Sequence, residues 1–376
     1  MEKWVTIWAQ AHSNMKPMAG NRKDYTVRAT IESKISGSSV RIRFSNKEGK
    51  KTMYIKQVTV FIDRFMPVVF SGKSEIMLDV GESLYSDPIN CEVENGTKIV
   101  ISIAFKKGAY SGNQDQALTE ISIKGNYTND LEMPLDKRSK TEIKYEMSPV
   151  LPGLSGVEML TEETPEVLVC FGDSITQQGR WTNPLERMLR DSGRNIILIN
   201  KGIGGNQLLS GPLYWVMTMW GPAAISRFEQ DVLKENGTTG VVFALGTNDI
   251  GMARSPKVLA ERNSKKLYET FVSLSKRAKE KGLKTYIATV TARGECGGYH
   301  QWQEDERLKF NERVRNSTEF DGIFDFDMVT RNQKNPFMLD QACDSGDHLH
   351  PGMEGGRRMA MHAFQVLSNK NRGEGE

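Results

Sequence analysis

Two of the chain's five histidines stand in the segment Asp344-Ser-Gly-Asp-His-Leu-His-Pro-Gly352, where Asp347 precedes His350 by three residues. An imidazole with a carboxylate behind its far nitrogen is the usual form of a general base. The group it can serve lies far upstream, in Gly172-Asp-Ser-Ile-Thr-Gln-Gln-Gly179. Ser174 there follows an apolar run and precedes a helical stretch, so a strand-to-helix turn presents its hydroxyl. A serine hydroxyl is a weak nucleophile until a base takes its proton. Such chemistry also needs donors aimed at a developing negative oxygen. Ser174 has its own backbone N–H. Gly205, in Asn200-Lys-Gly-Ile-Gly-Gly-Asn206, offers a second N–H, and Asn248, in Gly246-Thr-Asn-Asp249, offers a side-chain amide. His348 and Asp344 are the local alternatives for base and carboxylate, and Gly202 and Gly204 for the glycine. Asp173 and Asp249 read as braces of their turns.

Each polar turn follows an apolar run. Val167–Phe171, Asn195–Ile199 and Gly240–Leu245 precede the first three, and Thr285–Val290 and Ile323–Phe326 complete a set of five. Continuous apolar runs mark strands buried on both faces. Alternating with helical stretches, they predict a parallel sheet with helices on both sides, and such sheets carry their sites at the carboxyl ends of the strands. The clearest helix is predicted from Pro256 to Lys281, with Ser255 as cap, Gly282 after its end, and Leu267, Phe271, Leu274 and Ala278 as its apolar stripe.

The first third has another texture. Val27, Ala29 and Ile31 alternate with polar residues, as do Val40, Ile42 and Phe44, and Ile99, Ile101, Ile103 and Phe105; Arg41 and Arg43 fall on the opposite face. Short period-two runs between Gly, Ser, Asn and Pro predict an antiparallel sandwich with one solvated face. Residues 131–165 have no clean period and several prolines and read as a connector. The expected organisation is therefore a β-sandwich domain over 1–130, a connector over 131–165, and an α/β domain over 166–376.

The four polar blocks together resemble the SGNH, or GDSL-type, hydrolases. Gly172-Asp-Ser-Ile175 matches the family's first block, Gly205 the glycine of the second, Gly246-Thr-Asn248 the third and Asp347-x-x-His350 the last. The resemblance implies a three-layer α/β/α fold. It also implies Ser174 as nucleophile, His350 as base and Asp347 as its carboxylate, with Ser174, Gly205 and Asn248 as the oxyanion hole. The preceding β domain resembles that of two-domain bacterial acylhydrolases of plant-polysaccharide breakdown, through Trp4 to Trp8, Arg41 to Asn46 and Ser86-Asp-Pro88. That implies a jelly-roll-like sandwich and acetylated oligosaccharides as substrates. Long-chain lipase, thioesterase and arylesterase activities belong to the same family, and a glycan-binding protein with an idle site is the alternative of another class. Trp302 and Trp181, near the blocks, are candidate sugar contacts. The stretch holding Trp215 and Trp220 reads as local core or a wall of the cleft.

Composition narrows the partners. Lys plus Arg number 50 against 47 Asp plus Glu, a net charge of +3. That balance speaks against nucleic acid or an anionic membrane as partner. The four cysteines form no Cys-x-x-Cys pair, so neither a zinc ribbon nor a redox motif is expected, and the chemistry calls for no metal or organic cofactor. Residues 1–10 lack the basic start and apolar core of a signal peptide, which favours a cytoplasmic location. Oligomeric state has no sequence signature here.

Overall fold

The computed structural model describes all residues except 108–109, 115–116, 138–148, 212–214, 254, 261–262 and 370–376. The chain divides into one unit of residues 1–165 with 213–221 and a second of 166–212 with 222–376.

The first unit is antiparallel. One sheet orders Leu118–Lys124, Lys23–Glu32, Lys98–Lys107, Met53–Phe61 and Phe65–Val68, with Ile76–Leu78 also paired to Met53–Phe61. Its register sets Ile99 opposite Ile31, Ile101 opposite Ala29 and Ile103 opposite Val27. The alternating apolar positions therefore share one face, and all are buried. Each fully buried Val or Ile side chain contributes about 1.5–3 kcal/mol. A one-residue slip would turn that whole set to the other face.

A second sheet orders Lys3–Ala9, Leu154–Thr161, Gly37–Ser45 and Ser83–Tyr85, with Ile89–Val93 also on Gly37–Ser45. Here the connector expectation fails. Leu154–Thr161 is a central strand, antiparallel to both Lys3–Ala9 and Gly37–Ser45, and Leu151–Pro152 pairs with Ser111–Asn113. The strand is covered on both faces, so it shows no period-two signal. Its one charge, Glu158, is fully buried. Arg41 Nε donates to it at 2.8 Å and Tyr85 Oη at 2.8 Å, while the Arg41 guanidinium lies 4.3 Å from the Trp4 ring centroid and 4.5 Å from that of Tyr85. The face holding Arg41 and Arg43 is thus a packed polar layer. Arg43 itself is buried, with Nε on Ser155 Oγ at 3.2 Å.

The second unit carries the five expected parallel strands, Glu166–Gly172, Ile196–Gly202, Gly240–Ala244, Lys284–Ala288 and Gly322–Phe324. Their spatial order is second, first, third, fourth, fifth. Strand order reverses at the first strand, where such sheets open a crevice at their carboxyl ends. Helices Thr182–Asp191 and Met353–Asn369 lie against a core that includes Leu168, Cys170, Leu185, Val242, Phe324 and Met359. The helix expected over 256–281 is two: Pro256–Ala260 and Ser264–Lys279. Asn263 Oδ1 accepts from Lys266 N at 2.9 Å, a side-chain cap that starts a new helix where propensity alone would let one run on. The expected stripe of Leu267, Phe271, Leu274 and Ala278 is buried. Residues 213–221 group with the first unit, not with a local core of the second; Thr218 Oγ1 donates to Asn14 O at 3.4 Å. Among the described residues no helix is long and apolar enough to cross a membrane.

Candidate active site

Ser174 opens the short helix Ser174–Gln177 directly after the first parallel strand. Asp173 caps that helix, its Oδ1 accepting from Ile175 N at 3.0 Å. Two glycines let the turn close. A Cβ on Gly172 would lie 2.1 Å from Thr176 Oγ1, and one on Gly202 would lie 2.3 Å from Gln177 N. The missing side chain at Gly172 lets the serine turn fold onto its own Thr176, and the missing side chain at Gly202 lets the turn after the second strand lie against it.

His350 approaches from the segment before Met353–Asn369. Its Nε2 lies 2.7 Å from Ser174 Oγ and its Nδ1 2.6 Å from Asp347 Oδ2. The other carboxylate oxygen, Oδ1, accepts from the amides of His350 at 2.8 Å and Leu349 at 3.0 Å and from Ser345 Oγ at 3.1 Å. Partial burial opposes ionisation of Asp347, but the His350 ring and these amides outweigh it and hold the carboxyl well below the usual carboxylate range. Arg180 Nη1 donates to Pro351 O at 3.0 Å, tying this segment to the stretch just past the serine turn.

The rival pair is occupied differently. His348 Nδ1 is 2.6 Å from Asp344 Oδ2 and 3.5 Å from Glu295 Oε2. His350, not His348, is the imidazole on Ser174.

The remaining blocks arrive on the second and third strands. Gly205 sits at φ +73° in the turn after Ile196–Gly202, and a Cβ on its neighbour Gly204 would be 4.0 Å from Ser174 Cβ. Asn248 lies in the first turn of Thr247–Gly251, which follows Gly246 at φ +121°. Its Nδ2 donates to Asn206 O at 3.0 Å. Asp249 braces the loop as expected, accepting from the amides of Leu208 at 2.8 Å and Leu209 at 3.0 Å.

The two tryptophans part company. Trp181 is fully buried, its ring 5.2 Å from that of Phe326 in the hydrophobic core. It is a core residue and not a sugar contact, because its ring belongs to the buried cluster that includes Leu185, Leu189 and Phe326. Trp302 is half-buried on Gln301–Arg315 and stacked on His300 at 5.5 Å. The next residue, Gln303, donates through Nε2 to Ile250 O at 3.1 Å and Gly251 O at 3.0 Å, which joins the start of that helix to the helix of Asn248.

Sequence reasoning passed over two groups here. Arg227 reaches Gly172, Lys201 and Asn206, and Arg293 Nη1 donates to Thr247 O at 3.0 Å. Each is a single arginine outside any block, with no signal in the linear sequence.

Asp173 yields a testable consequence. Burial pushes its carboxyl up to about 7, against the opposing pull of the Ile175 amide. Between an unfolded value near 3.8 and about 7 the folded chain therefore holds a proton that the unfolded chain has lost. Stability must fall as pH rises through that window and level off above it. Asp173→Asn keeps a capping oxygen but cannot titrate. Melting temperature measured from about pH 5 to 8 should decline more steeply in the wild type than in this variant, and parallel curves would refute the assignment.

A sequence model of the GDSL-like Lipase/Acylhydrolase family matches residues 170–358. No curated protein sequence matches the chain significantly. Similar solved structures include a GDSL-like lipase from Bacteroides thetaiotaomicron, at 17% identity and TM-score 0.40 over 55% of this chain and 92% of that one. A psychrotrophic esterase from Pseudoalteromonas is 17% identical, with TM-score 0.39 over 55% of this chain and 99% of that one. A variant of an acetyl-xylooligosaccharide esterase from Geobacillus is 18% identical, with TM-score 0.42 over 55% and 96% respectively. The family model spans half of the chain and takes in Ser174, Gly205, Asn248, Asp347 and His350, so this protein belongs to the GDSL-like lipase/acylhydrolase family and is a carboxylic ester hydrolase.

Proposed function

We propose that the chain is a serine esterase that removes short acyl groups, above all acetyl, from carbohydrate hydroxyls. The observation that carries the reaction type is the continuous line from Ser174 Oγ through His350 to Asp347, with links of 2.7 and 2.6 Å. His350 Nε2 takes the Ser174 proton as Oγ attacks the ester carbonyl. The tetrahedral oxyanion is received by the N–H groups of Ser174 and Gly205 and the amide of Asn248. The protonated imidazole gives its proton to the departing alcohol oxygen. Water then repeats the cycle on the acyl-enzyme, releasing the acid and free Ser174.

The carbohydrate substrate class has its own support. It is supported by the resemblance of the β unit to that of polysaccharide-directed acylhydrolases. It is also supported by the half-buried Trp302, whose ring is suited to a sugar face. Acetate release from acetylated xylo- and manno-oligosaccharides, with simple aryl acetates alongside, tests it. Release from the oligosaccharides is expected. Hydrolysis of aryl acetates alone would move the substrate to lipids, thioesters or other glycans.

Asn248→Ala is expected to lower kcat by on the order of 100- to 1000-fold with KM little changed, because its amide meets charge that exists only in the transition state. A KM effect with kcat intact would remove Asn248 from the oxyanion hole.

A further inference from the structure

The three donors assigned to the oxyanion come from three separate turns, after the first, second and third parallel strands. Their spacing must hold to a fraction of an ångström, since misplacement by about 1 Å can cost about 100-fold in rate. One buried side chain reaches across these turns. Arg227, on the helix Ala224–Phe228, is 6% exposed. Its Nη2 donates to Gly172 O at 3.0 Å, at the end of the strand that leads into Ser174. Its Nη1 donates to Lys201 O at 3.0 Å, near the end of the second strand. Nε and Nη2 both donate to Asn206 Oδ1, at 3.1 and 2.9 Å, and Asn206 directly follows Gly205. The last donor meets Asp231 Oδ2 at 2.8 Å. These five bonds match the five N–H donors of a guanidinium. The third turn joins through Asn206, whose carbonyl accepts from Asn248 Nδ2 at 3.0 Å. With one amide hydrogen fixed there, the direction of the other is set.

We infer that Arg227 is the positioning residue of the oxyanion hole, aligning its three donors through Gly172, Lys201 and Asn206. The inference rests on the active-site reading proposed above. Its charge is matched by Asp231, so Arg227 acts through geometry rather than as a cation offered to substrate. Lysine cannot replace it, because a single ammonium cannot span acceptors laid out for a planar fork.

The test is kcat and KM for an aryl acetate in the full chain, expressed per active site titrated with a fluorescent ethyl phosphonate. Arg227→Lys should lower kcat per titrated site by on the order of 10- to 100-fold while KM stays within about twofold. A purely structural role would reduce the number of titratable sites and leave kcat per site intact, and that result would overturn the inference. Should Arg227→Lys fail to fold, Asn206→Ala decides. It keeps Arg227 on both strand ends but cuts its link to the loop, and should lower kcat per site by on the order of 10-fold; unchanged kcat per site would overturn the inference. Wild type that is not labelled at Ser174 would overturn the active-site reading and this inference together. Labelling at Ser174 with full kcat per site in the variants would overturn this inference alone.

Discussion

Ser174→Ala is expected to lower kcat on any ester substrate by on the order of 10,000- to 1,000,000-fold, leaving only what binding and the oxyanion donors supply. The hydroxyl lies 2.7 Å from His350 Nε2, where it can give up its proton and form the acyl-enzyme. Losing a single half-exposed oxygen removes no core packing, so the melting temperature should stay within about 2 °C of the wild type. Substrate binding should also persist, because the cleft is otherwise intact. A variant with wild-type turnover would end the serine mechanism. A variant that unfolds would mean that the turn depends on the hydroxyl for its shape.

Asp347→Asn should cost about 10,000-fold in kcat with little loss of fold. The carboxylate accepts from the His350 amide and ring on two different oxygens. An asparagine can keep its oxygen on the amides, but its nitrogen then donates toward His350 Nδ1. That forces the ring proton onto Nε2, where it faces Ser174 and can no longer receive a proton. Asp347 is held ionised well below the usual carboxylate range. Mild acid, down to about pH 5, should therefore not reproduce the variant's defect in the wild type. Wild-type pH–rate profiles beside the variant's residual rate check both points. Rates for Asp347→Asn near those of the wild type would transfer the role to Asp344 or to water.

Where the sequence was readable, the physics was local. The five parallel strands announce themselves because burial on both faces demands continuous apolar runs. The candidate chemical groups were readable because each sits in a glycine-rich turn just past such a run. The structure places Ser174, His350 and Asp347 in one hydrogen-bonded line, with the Gly204–Gly205 turn beside the serine.

What was hidden depends on contacts between distant segments. Leu154–Thr161 looked like a connector because burial on both faces leaves it no period-two signal, and its one charge, Glu158, finds its partner Arg41 117 positions away. Trp181 looked like a ring for sugar because it follows the serine block closely, but tertiary packing sends it into the core against Phe326. The break at Asn263 is a contest between helix propensity and a side-chain cap, which apolar periodicity does not register. Arg227 carries no signal at all: its significance lies in four acceptors that only the fold assembles.

The central claim, that Ser174 is the nucleophile activated by His350, is tested most directly by covalent capture. The wild-type chain is incubated with an ethyl phosphonate ester and its intact mass and peptide map are recorded. One phosphonyl group on the peptide carrying Ser174, absent from Ser174→Ala and strongly slowed in His350→Ala, is the predicted result. No adduct, or an adduct on another residue that survives Ser174→Ala, would contradict it.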